Sequence, residues 1–144
     1  MMLKISARNQ FSGKVQSIKL GAINAEVTLA LPSGQELVAI VTNESVKSLN
    51  LKEGSEAIAL IKAPSVLVMT DNPRVRLSAR NSLSGTVTAL TKGPIHAEVT
   101  ITLAAGETVH ATITHKACDA LGLVEGMAAT AVIKASQVVL GVPT

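Results

Sequence analysis

The sequence predicts an all-β protein built from two tandem five-stranded antiparallel barrels, each with one short helix. Three observations predict this class. Hydrophobic residues make up 47% of the 144 residues and are almost entirely aliphatic, with one Phe and neither Tyr nor Trp. The chain also repeats itself at a constant offset of 72 residues. Within each repeat, apolar and polar residues alternate in short runs separated by turn residues, which is typical of half-buried strands.

The repeat defines two modules. Ser6-Ala7-Arg8-Asn9 returns as Ser78-Ala79-Arg80-Asn81, and the offset holds without a gap as far as Lys62-Ala63 and Lys134-Ala135. About 27 of roughly 63 aligned positions are identical, far above chance for a repeat search. We therefore expect a first module over residues 1–69 and a second over 74–144. The short polar segment 70–73 between them ends in Pro and is predicted to be the linker.

Each element of a module follows from this pattern. Residues 23–31 alternate with period two and predict a strand with Ile23 on its buried side. Pro32-Ser33-Gly34 turns the chain, so the alternation that resumes at Leu37 predicts an antiparallel hairpin. Further strands are expected around Val15 and Ile18 and around Ala57, Ala59 and Ile61. Thr42 is a predicted N-cap for a helix from Asn43 to Leu49. Four or five short strands and one helical turn favour an OB-like barrel.

Several functional classes are disfavoured by what the sequence lacks. Lys, Glu, Asn or Gly interrupts every apolar run before the roughly 20 residues of a membrane span, and no secretory signal pattern opens the chain. The lone Cys118 fits a reducing compartment, so we expect a cytoplasmic location. No phosphate-binding, dinucleotide-binding or zinc-protease motif occurs, and the repeated carboxylates lie on a polar strand face or in a turn. We expect no enzyme and no cofactor.

A metal cluster of His110, His115 and Cys118 is chemically conceivable, because imidazole and thiolate are good ligands for soft metals. The repeat argues against it. The first copy has Val, Asn and Val at these positions, so the cluster would be private to one module. A buried cysteine and exposed histidines are the simpler interpretation, and we expect no metal site.

Both copies instead keep a compact set of donors, namely Ser-x-Arg-Asn at the start and Lys-Ala near the end. Arg offers a planar fork of N–H groups, Lys a point charge and Ser a hydroxyl, which together suit a tetrahedral oxyanion. Thr42 and Thr114 could add a hydroxyl at each helix start. The alternative is that the arginines pair with Glu26 or Glu98 while the lysines only extend into solvent. The residues alone leave both readings open.

Four ordered motifs resemble the Mop module of the molbindins. They are Ser6-Ala7-Arg8-Asn9-Gln10-Phe11-x-Gly13, Gly21-Ala22-Ile23-Asn24-Ala25-Glu26-Val27, Thr42-Asn43-Glu44-Ser45-Val46 and Ile61-Lys62-Ala63-Pro64. Because the match covers both copies, the chain resembles the duplicated di-Mop type. The resemblance implies a homotrimer that holds molybdate or tungstate between modules of different subunits, for storage of molybdenum in the cytoplasm. No helix-turn-helix or nucleotide-binding segment accompanies the modules, which favours storage over regulation or transport.

The resemblance also implies which residues bind the oxyanion. In the first copy they are Ser6, Arg8, Asn9, Thr42, Ser45, Lys62 and Ala63, the last through its backbone. In the second copy they are Ser78, Arg80, Asn81, Thr114, Lys134 and Ala135. Ala117 replaces Ser45, so the second copy is expected to bind more weakly.

Two rival functions remain. A structural assembly module would use the repeated Arg and Lys only in interface salt bridges and would ignore oxyanions. Binding of single-stranded nucleic acid, common among OB barrels, needs stacking aromatics, and a single Phe provides almost none. We therefore expect neither nucleic acid nor a membrane as a partner.

Overall fold

A computed structural model describes residues 3–70 and 75–143. The chain divides into two compact units: unit 1 is Met1–Ile61 with Lys134–Thr144, and unit 2 is Lys62–Ile133. Each unit contains one five-stranded antiparallel sheet, curled into a half-barrel, and one short helix. The predicted fold class is therefore confirmed.

The sheet of unit 1 has the strand order β10-β4-β1-β2-β3, and every neighbouring pair is antiparallel. The edge strand β10 also packs against β3 at the other edge, which curls the sheet around its core. The strands are β1 (Asn9–Leu20), β2 (Asn24–Ala30), β3 (Glu36–Thr42), β4 (Glu56–Ile61) and β10 (Val139–Gly141), and helix α1 (Asn43–Ser48) follows β3.

The sheet of unit 2 repeats this plan in the order β5-β9-β6-β7-β8. All of its strand pairs are antiparallel, and β5 packs against β8. The strands are β5 (Leu67–Met69), β6 (Asn81–Lys92), β7 (His96–Leu103), β8 (Thr108–Thr114) and β9 (Ala128–Ile133), and helix α2 (His115–Leu121) follows β8.

The compact units do not coincide with the expected modules 1–69 and 74–144, because the last segments of the two copies are exchanged. The 3-10 turn Ala63–Ser65 and β5 come from the first copy but belong to unit 2. The 3-10 turn Ala135–Gln137 and β10 come from the second copy but belong to unit 1. Accordingly β10 pairs with β4, and β5 pairs with β9. Residues 71–74, which include most of the expected linker, lie outside the described residues.

The predicted hairpin is present, with β2 and β3 paired from Asn24↔Thr42 to Ala30↔Glu36. Gly34 closes its turn with φ +88°, a backbone conformation that L side chains rarely adopt. The expectation for Ile23 was wrong, since β2 begins one residue later and Ile23 is 74% exposed. Ile23 belongs to the β1–β2 turn, where its carbonyl accepts a hydrogen bond from the Asn43 amide at 2.8 Å.

The core of each unit lies on the inner face of its sheet and consists almost entirely of aliphatic side chains. The same repeat positions supply both cores, because alternation places every second residue of β2 or β7 inside. Leu29, Leu37 and Ile61 are fully buried in unit 1, as are Ile101 and Ile133 in unit 2. Burial of such side chains contributes roughly 1.5–3 kcal/mol each.

Candidate functional site

The repeated Ser-x-Arg-Asn motif leads into the long first strand of each sheet. In unit 1, Ser6 and Arg8 are exposed, whereas Asn9 begins β1 and is 1% exposed. The second copy reproduces this pattern, with Ser78 and Arg80 exposed and Asn81 2% exposed at the start of β6. The serine and arginine can therefore meet a ligand at the surface of the unit, whereas the asparagine lies under the surface where the strand begins.

The predicted N-cap at Thr42 is confirmed. Its Oγ1 accepts a hydrogen bond from the Ser45 amide at 3.0 Å, in an extended backbone conformation that suits a cap. The Ser45 hydroxyl lies 2.8 Å from the same oxygen, so one of the two hydroxyls donates to the other. One O–H group of the pair then remains to be donated elsewhere.

Thr114 caps α2 in the same way and accepts from the Ala117 amide at 3.0 Å. Because Ala117 has no hydroxyl, the O–H of Thr114 is not shared with it. Each copy therefore offers one hydroxyl proton at this point, although the first copy has two hydroxyls. The number of hydroxyl groups in the sequence therefore overstates how much the two copies differ in the hydroxyl protons that they can donate.

The Lys-Ala pairs lie immediately before and within the 3-10 turns. Lys62 and Lys134 are exposed, whereas Ala63 and Ala135 are 2% and 3% exposed. Each lysine carbonyl accepts a hydrogen bond that closes the turn, at 2.9 Å in both copies. The lysine side chain is thus directed from a rigid point of the backbone rather than from a flexible loop.

The exchange of segments determines which candidate residues share a unit. The turn that follows Lys134 packs against β3, the strand that ends at Thr42. The turn that follows Lys62 packs against β8, the strand that ends at Thr114. Within one chain, the Ser, Arg and Thr of each copy therefore share a unit with the Lys-Ala pair of the other copy.

The first residue of each helix is hydrogen-bonded to a turn between two strands of its sheet, namely β1–β2 for α1 and β6–β7 for α2. Asn43 Nδ2 donates to the carbonyl of Gly21 at 2.9 Å, and His115 Nδ1 lies 2.7 Å from the carbonyl of Gly93. The second contact requires a proton on Nδ1, because a carbonyl oxygen only accepts. Asn and His are thus structurally equivalent at this repeat position.

A charged cluster that the sequence analysis missed surrounds His115. The Asp119 carboxylate contacts Lys92 Nζ at 2.8 Å and His115 Nε2 at 3.1 Å. The hydrogen bond from Lys92 holds the pKa of Asp119 below its usual range, with a further contribution from the charge of His115. The hydrogen bond to Asp119 and its charge raise the pKa of Lys92. The spacing of His115 and Asp119, four residues apart on a helix, was the available signal.

The conceivable metal ligands are not brought to a common site. His110 Nδ1 bonds to the Thr100 hydroxyl at 3.1 Å, His115 bonds as described above, and Cys118 is completely buried in α2. Within residues 3–70 and 75–143, no three His, Cys, Asp or Glu side chains converge as a metal site. In the same part of the chain, no helix has both the length and the apolar character that crossing a membrane requires.

Residues 5–68 and 77–140 each match the model of the TOBE domain. The Molybdenum transport protein ModE of Azotobacter vinelandii is 42% identical over 142 residues, which are 99% of this chain and 52% of that protein. The Molybdenum-pterin-binding protein MopA of Rhodobacter capsulatus is 42% identical over 143 residues, 99% of this chain and 54% of that protein. The chain thus spans about half the length of these relatives.

A solved structure matches over almost the whole chain. The crystal structure of the cytoplasmic molybdate-binding protein ModG with molybdate bound has a TM-score of 0.95 and 52% sequence identity. The match covers 98% of this chain and 100% of that one.

Proposed function

Because the chain belongs to the TOBE domain family and carries the domain twice, we propose that it binds molybdate, and tungstate as an equivalent tetrahedral dianion. The expected resemblance to the duplicated Mop type is confirmed by the two domain matches and the similarity to MopA. The observation that carries the proposal is the repeated donor set, in which each unit holds an exposed Ser and Arg, a capping Thr and a Lys-Ala turn. The similarity to a molybdate-binding protein over nearly the full chain supports this ligand.

The donors act in two sets. The guanidinium supplies two parallel N–H groups, the lysine a point charge, the hydroxyls short donors and the buried alanine a backbone N–H. Asn9 and Asn81 are 1% and 2% exposed and directly follow the arginines, as the first residues of β1 and β6. The first set is Ser6, Arg8, Thr42, Ser45, Lys134 and Ala135, and the second is Ser78, Arg80, Thr114, Lys62 and Ala63.

The energetics permit a tight site. Charge-assisted hydrogen bonds contribute roughly 1.5–3 kcal/mol each. Six of them at the lower value give about 9 kcal/mol, and four at the upper value give about 12 kcal/mol. Both totals exceed the approximately 8 kcal/mol that corresponds to micromolar affinity. The surplus is needed, because removing a dianion from water carries a large desolvation cost.

We also propose that the chain assembles as a homotrimer in which oxyanions are held where modules of different subunits meet. Large apolar side chains are exposed at equivalent positions of both copies, including Ile23 and Ile95 at 74% and 70% exposure. Unit 1 carries an apolar groove of about 590 Å³ bordered by Pro32, Ile58 and Val142. Exposed apolar surface that recurs in both copies is typical of a protein interface.

This exposed apolar surface also favours a second candidate function, a structural assembly module that needs no ligand. The two candidates differ in one property: a ligand that binds only the native assembly must stabilise it by mass action. Stacking of nucleic-acid bases has little support, because the single aromatic residue, Phe11, is 5% exposed. We propose no catalytic role, and a buried, reduced Cys118 fits the proposed location in the cytoplasm.

Calorimetric titration of the purified protein with molybdate tests the proposal, with sulfate and phosphate as competing tetrahedral anions. The double variant Arg8→Ala, Arg80→Ala removes the repeated guanidinium from both sets. Lys4→Ala, Arg76→Ala is the matched control, because it removes the same charge from equivalent exposed positions only four residues earlier. Saturable molybdate binding should persist in the control and be lost in the first variant. No heat and no thermal stabilisation with molybdate or tungstate would leave the assembly module as the better account.

A further inference from the structure

The start of α2 is held by a network that extends beyond the helix itself. His115 Nδ1 donates to the Gly93 carbonyl in the β6–β7 turn, at 2.7 Å. Its other ring nitrogen, Nε2, lies 3.1 Å from Asp119 Oδ2, one helical turn further on. Asp119 Oδ1 accepts from Lys92 Nζ at 2.8 Å, and Lys92 is the last residue of β6. The ring of His115 therefore links the start of α2 to the β6–β7 turn through Gly93, and to the end of β6 through Asp119 and Lys92.

The first copy keeps only one part of this arrangement. Asn43 makes the equivalent bond to Gly21, but its Oδ1 is buried without a hydrogen-bond partner. Leu20 and Lys47 occupy the positions of Lys92 and Asp119, so neither the bridging carboxylate nor the ammonium is present. The bond to the strand turn is thus common to both copies, whereas its extension is private to the second.

The complete network requires a doubly protonated ring. The Gly93 carbonyl only accepts, and so does an ionised carboxylate, so each ring nitrogen of His115 must carry a proton for both bonds to form. Lys92 holds the pKa of Asp119 below its usual range, and Asp119 raises the pKa of Lys92. Neither of these two groups changes charge between pH 6 and 8. Imidazole is the side chain that ordinarily changes charge in that interval.

The other titratable groups near α2 lie on its own surface and on the strands packed against it. Helix α2 packs on β7 and β8. Lys116 and the buried Cys118 are on the helix, His96 and Glu98 are on β7, and His110 is on β8, where it bonds to a neighbouring threonine. His96 provides a control position for His115, because it lies opposite Thr114 in the strand register yet takes no part in the bonds around Asp119.

Thr114, a member of the second donor set, is the N-cap of α2. It precedes His115 in the chain, and the His115 amide is itself bonded to the Ile95 carbonyl at 2.8 Å. We propose that His115 is a positioning residue for the second donor set, whose network with Asp119 and Lys92 holds Thr114 in place in a proton-dependent manner. The inference rests on the proposed oxyanion function. It predicts that the second set binds molybdate more tightly as the pH falls from 8 to 6, whereas the first set lacks this response.

The first experiment needs no ligand. Amide hydrogen exchange of the first turn of α2, corrected for the intrinsic pH dependence of exchange, is measured at pH 6 and pH 8 in the full chain. Protection should be greater at pH 6 in the wild type and in His96→Asn. It should become independent of pH in His115→Asn, which installs the residue of the first copy and retains the bond to the strand turn. Equal pH dependence in the wild type and in His115→Asn would overturn the proposal.

The second experiment measures molybdate affinity by calorimetry at pH 6 and pH 8, in an Arg8→Ala background that removes the guanidinium of the first set. One linked proton changes an equilibrium constant at most tenfold per pH unit. We expect molybdate to bind about three- to fivefold more tightly at pH 6 than at pH 8. This pH dependence should persist in His96→Asn and disappear in His115→Asn. A pH dependence that survives His115→Asn would refute the link to binding.

A transplant provides the converse test. The triple variant Leu20→Lys, Asn43→His, Lys47→Asp builds the network into the first copy and should confer pH-dependent protection on the start of α1. Failure to do so in a folded variant would count against the network as the cause. Absence of molybdate binding in every protein at both pH values would instead refute the proposed function, and with it the role of His115 in binding. The ligand-free exchange would still decide whether the proton-dependent network exists.

Discussion

Replacing Val138 by Ala should lower the stability of unit 1, which consists mainly of the first copy of the repeat, although Val138 itself belongs to the second copy. Val138 is 3% exposed and ends the 3-10 turn that leads into β10, the strand paired with β4 of unit 1. Its repeat equivalent Val66 is 1% exposed and leads into β5, which pairs with β9 of unit 2. The two substitutions are chemically identical and should act on opposite units.

The magnitude follows from the buried methyl groups. Val→Ala removes two of them, which corresponds to about 1.6 kcal/mol of lost transfer free energy. A residual cavity increases the cost, so the free energy of unfolding of the affected unit should fall by about 2 kcal/mol. Because β10 and β5 are edge strands of only three residues, weaker packing beside them should also release their hydrogen bonds.

Hydrogen exchange resolved by peptide distinguishes the two units. Val138→Ala should accelerate exchange in β4 and β3, and Val66→Ala should accelerate exchange in β9 and β8. The wild type measured under the same conditions gives the reference for each peptide. If Val138→Ala instead accelerated exchange mainly in β9, the exchange of segments between the copies would be refuted.

Three further predictions concern single positions. Thr42→Ala should lower stability by about 1 kcal/mol by removing the cap of α1, whereas Thr42→Ser should retain most of it, as thermal unfolding would show; equal effects would contradict the capping role. Gly13→Ala should cost about 1–3 kcal/mol in denaturant unfolding, because the new Cβ would lie 2.7 Å from a carbonyl oxygen of β2. Gly141→Ala is its control, since a Cβ there meets no atom within 4 Å, and an equal loss in both would refute the steric argument. Lys92 lowers the pKa of Asp119, so the ionised carboxylate stabilises the folded protein at every pH above the usual pKa of an aspartate. This stabilisation is lost as the pH falls through the lowered pKa of Asp119. The difference in Tm between the wild type and Asp119→Asn should therefore be present at pH 7 and disappear in strong acid; a difference that persists there would contradict the ion pair as its source.

Features that depend on neighbouring residues could be predicted from the sequence. The β2–β3 hairpin and the cap at Thr42 rest on contacts within a few residues, so alternation and a single hydroxyl were sufficient signals. The error at Ile23 has a local cause as well. An apolar residue at the end of an alternating run looks like the first residue of a strand, although the turn has not yet ended there.

The candidate donors were also visible in the sequence, because a repeat that keeps the same polar residues twice stands out against its apolar background. Their burial was not visible, since it depends on the whole unit: Asn9 and Arg8 are neighbours in the chain, yet one is enclosed and the other exposed. The bonds among Lys92, His115 and Asp119 were missed because they join the end of one strand to a helix that begins 23 residues later in the chain.

The amino-acid pattern alone was enough to identify a duplicated all-β protein that keeps the same set of Ser, Arg, Asn, Thr and Lys residues in both copies. Which Lys-Ala turn lies in the same unit as which arginine follows only from the fold of the whole chain. The physical reason is that the two copies present nearly identical partners to the closing strand. Val66 and Val138 are equivalent residues, and so are Ala63 and Ala135, so local contacts favour neither pairing. The choice depends on how the whole chain closes its two sheets, which is a property of long-range connectivity rather than of any short segment.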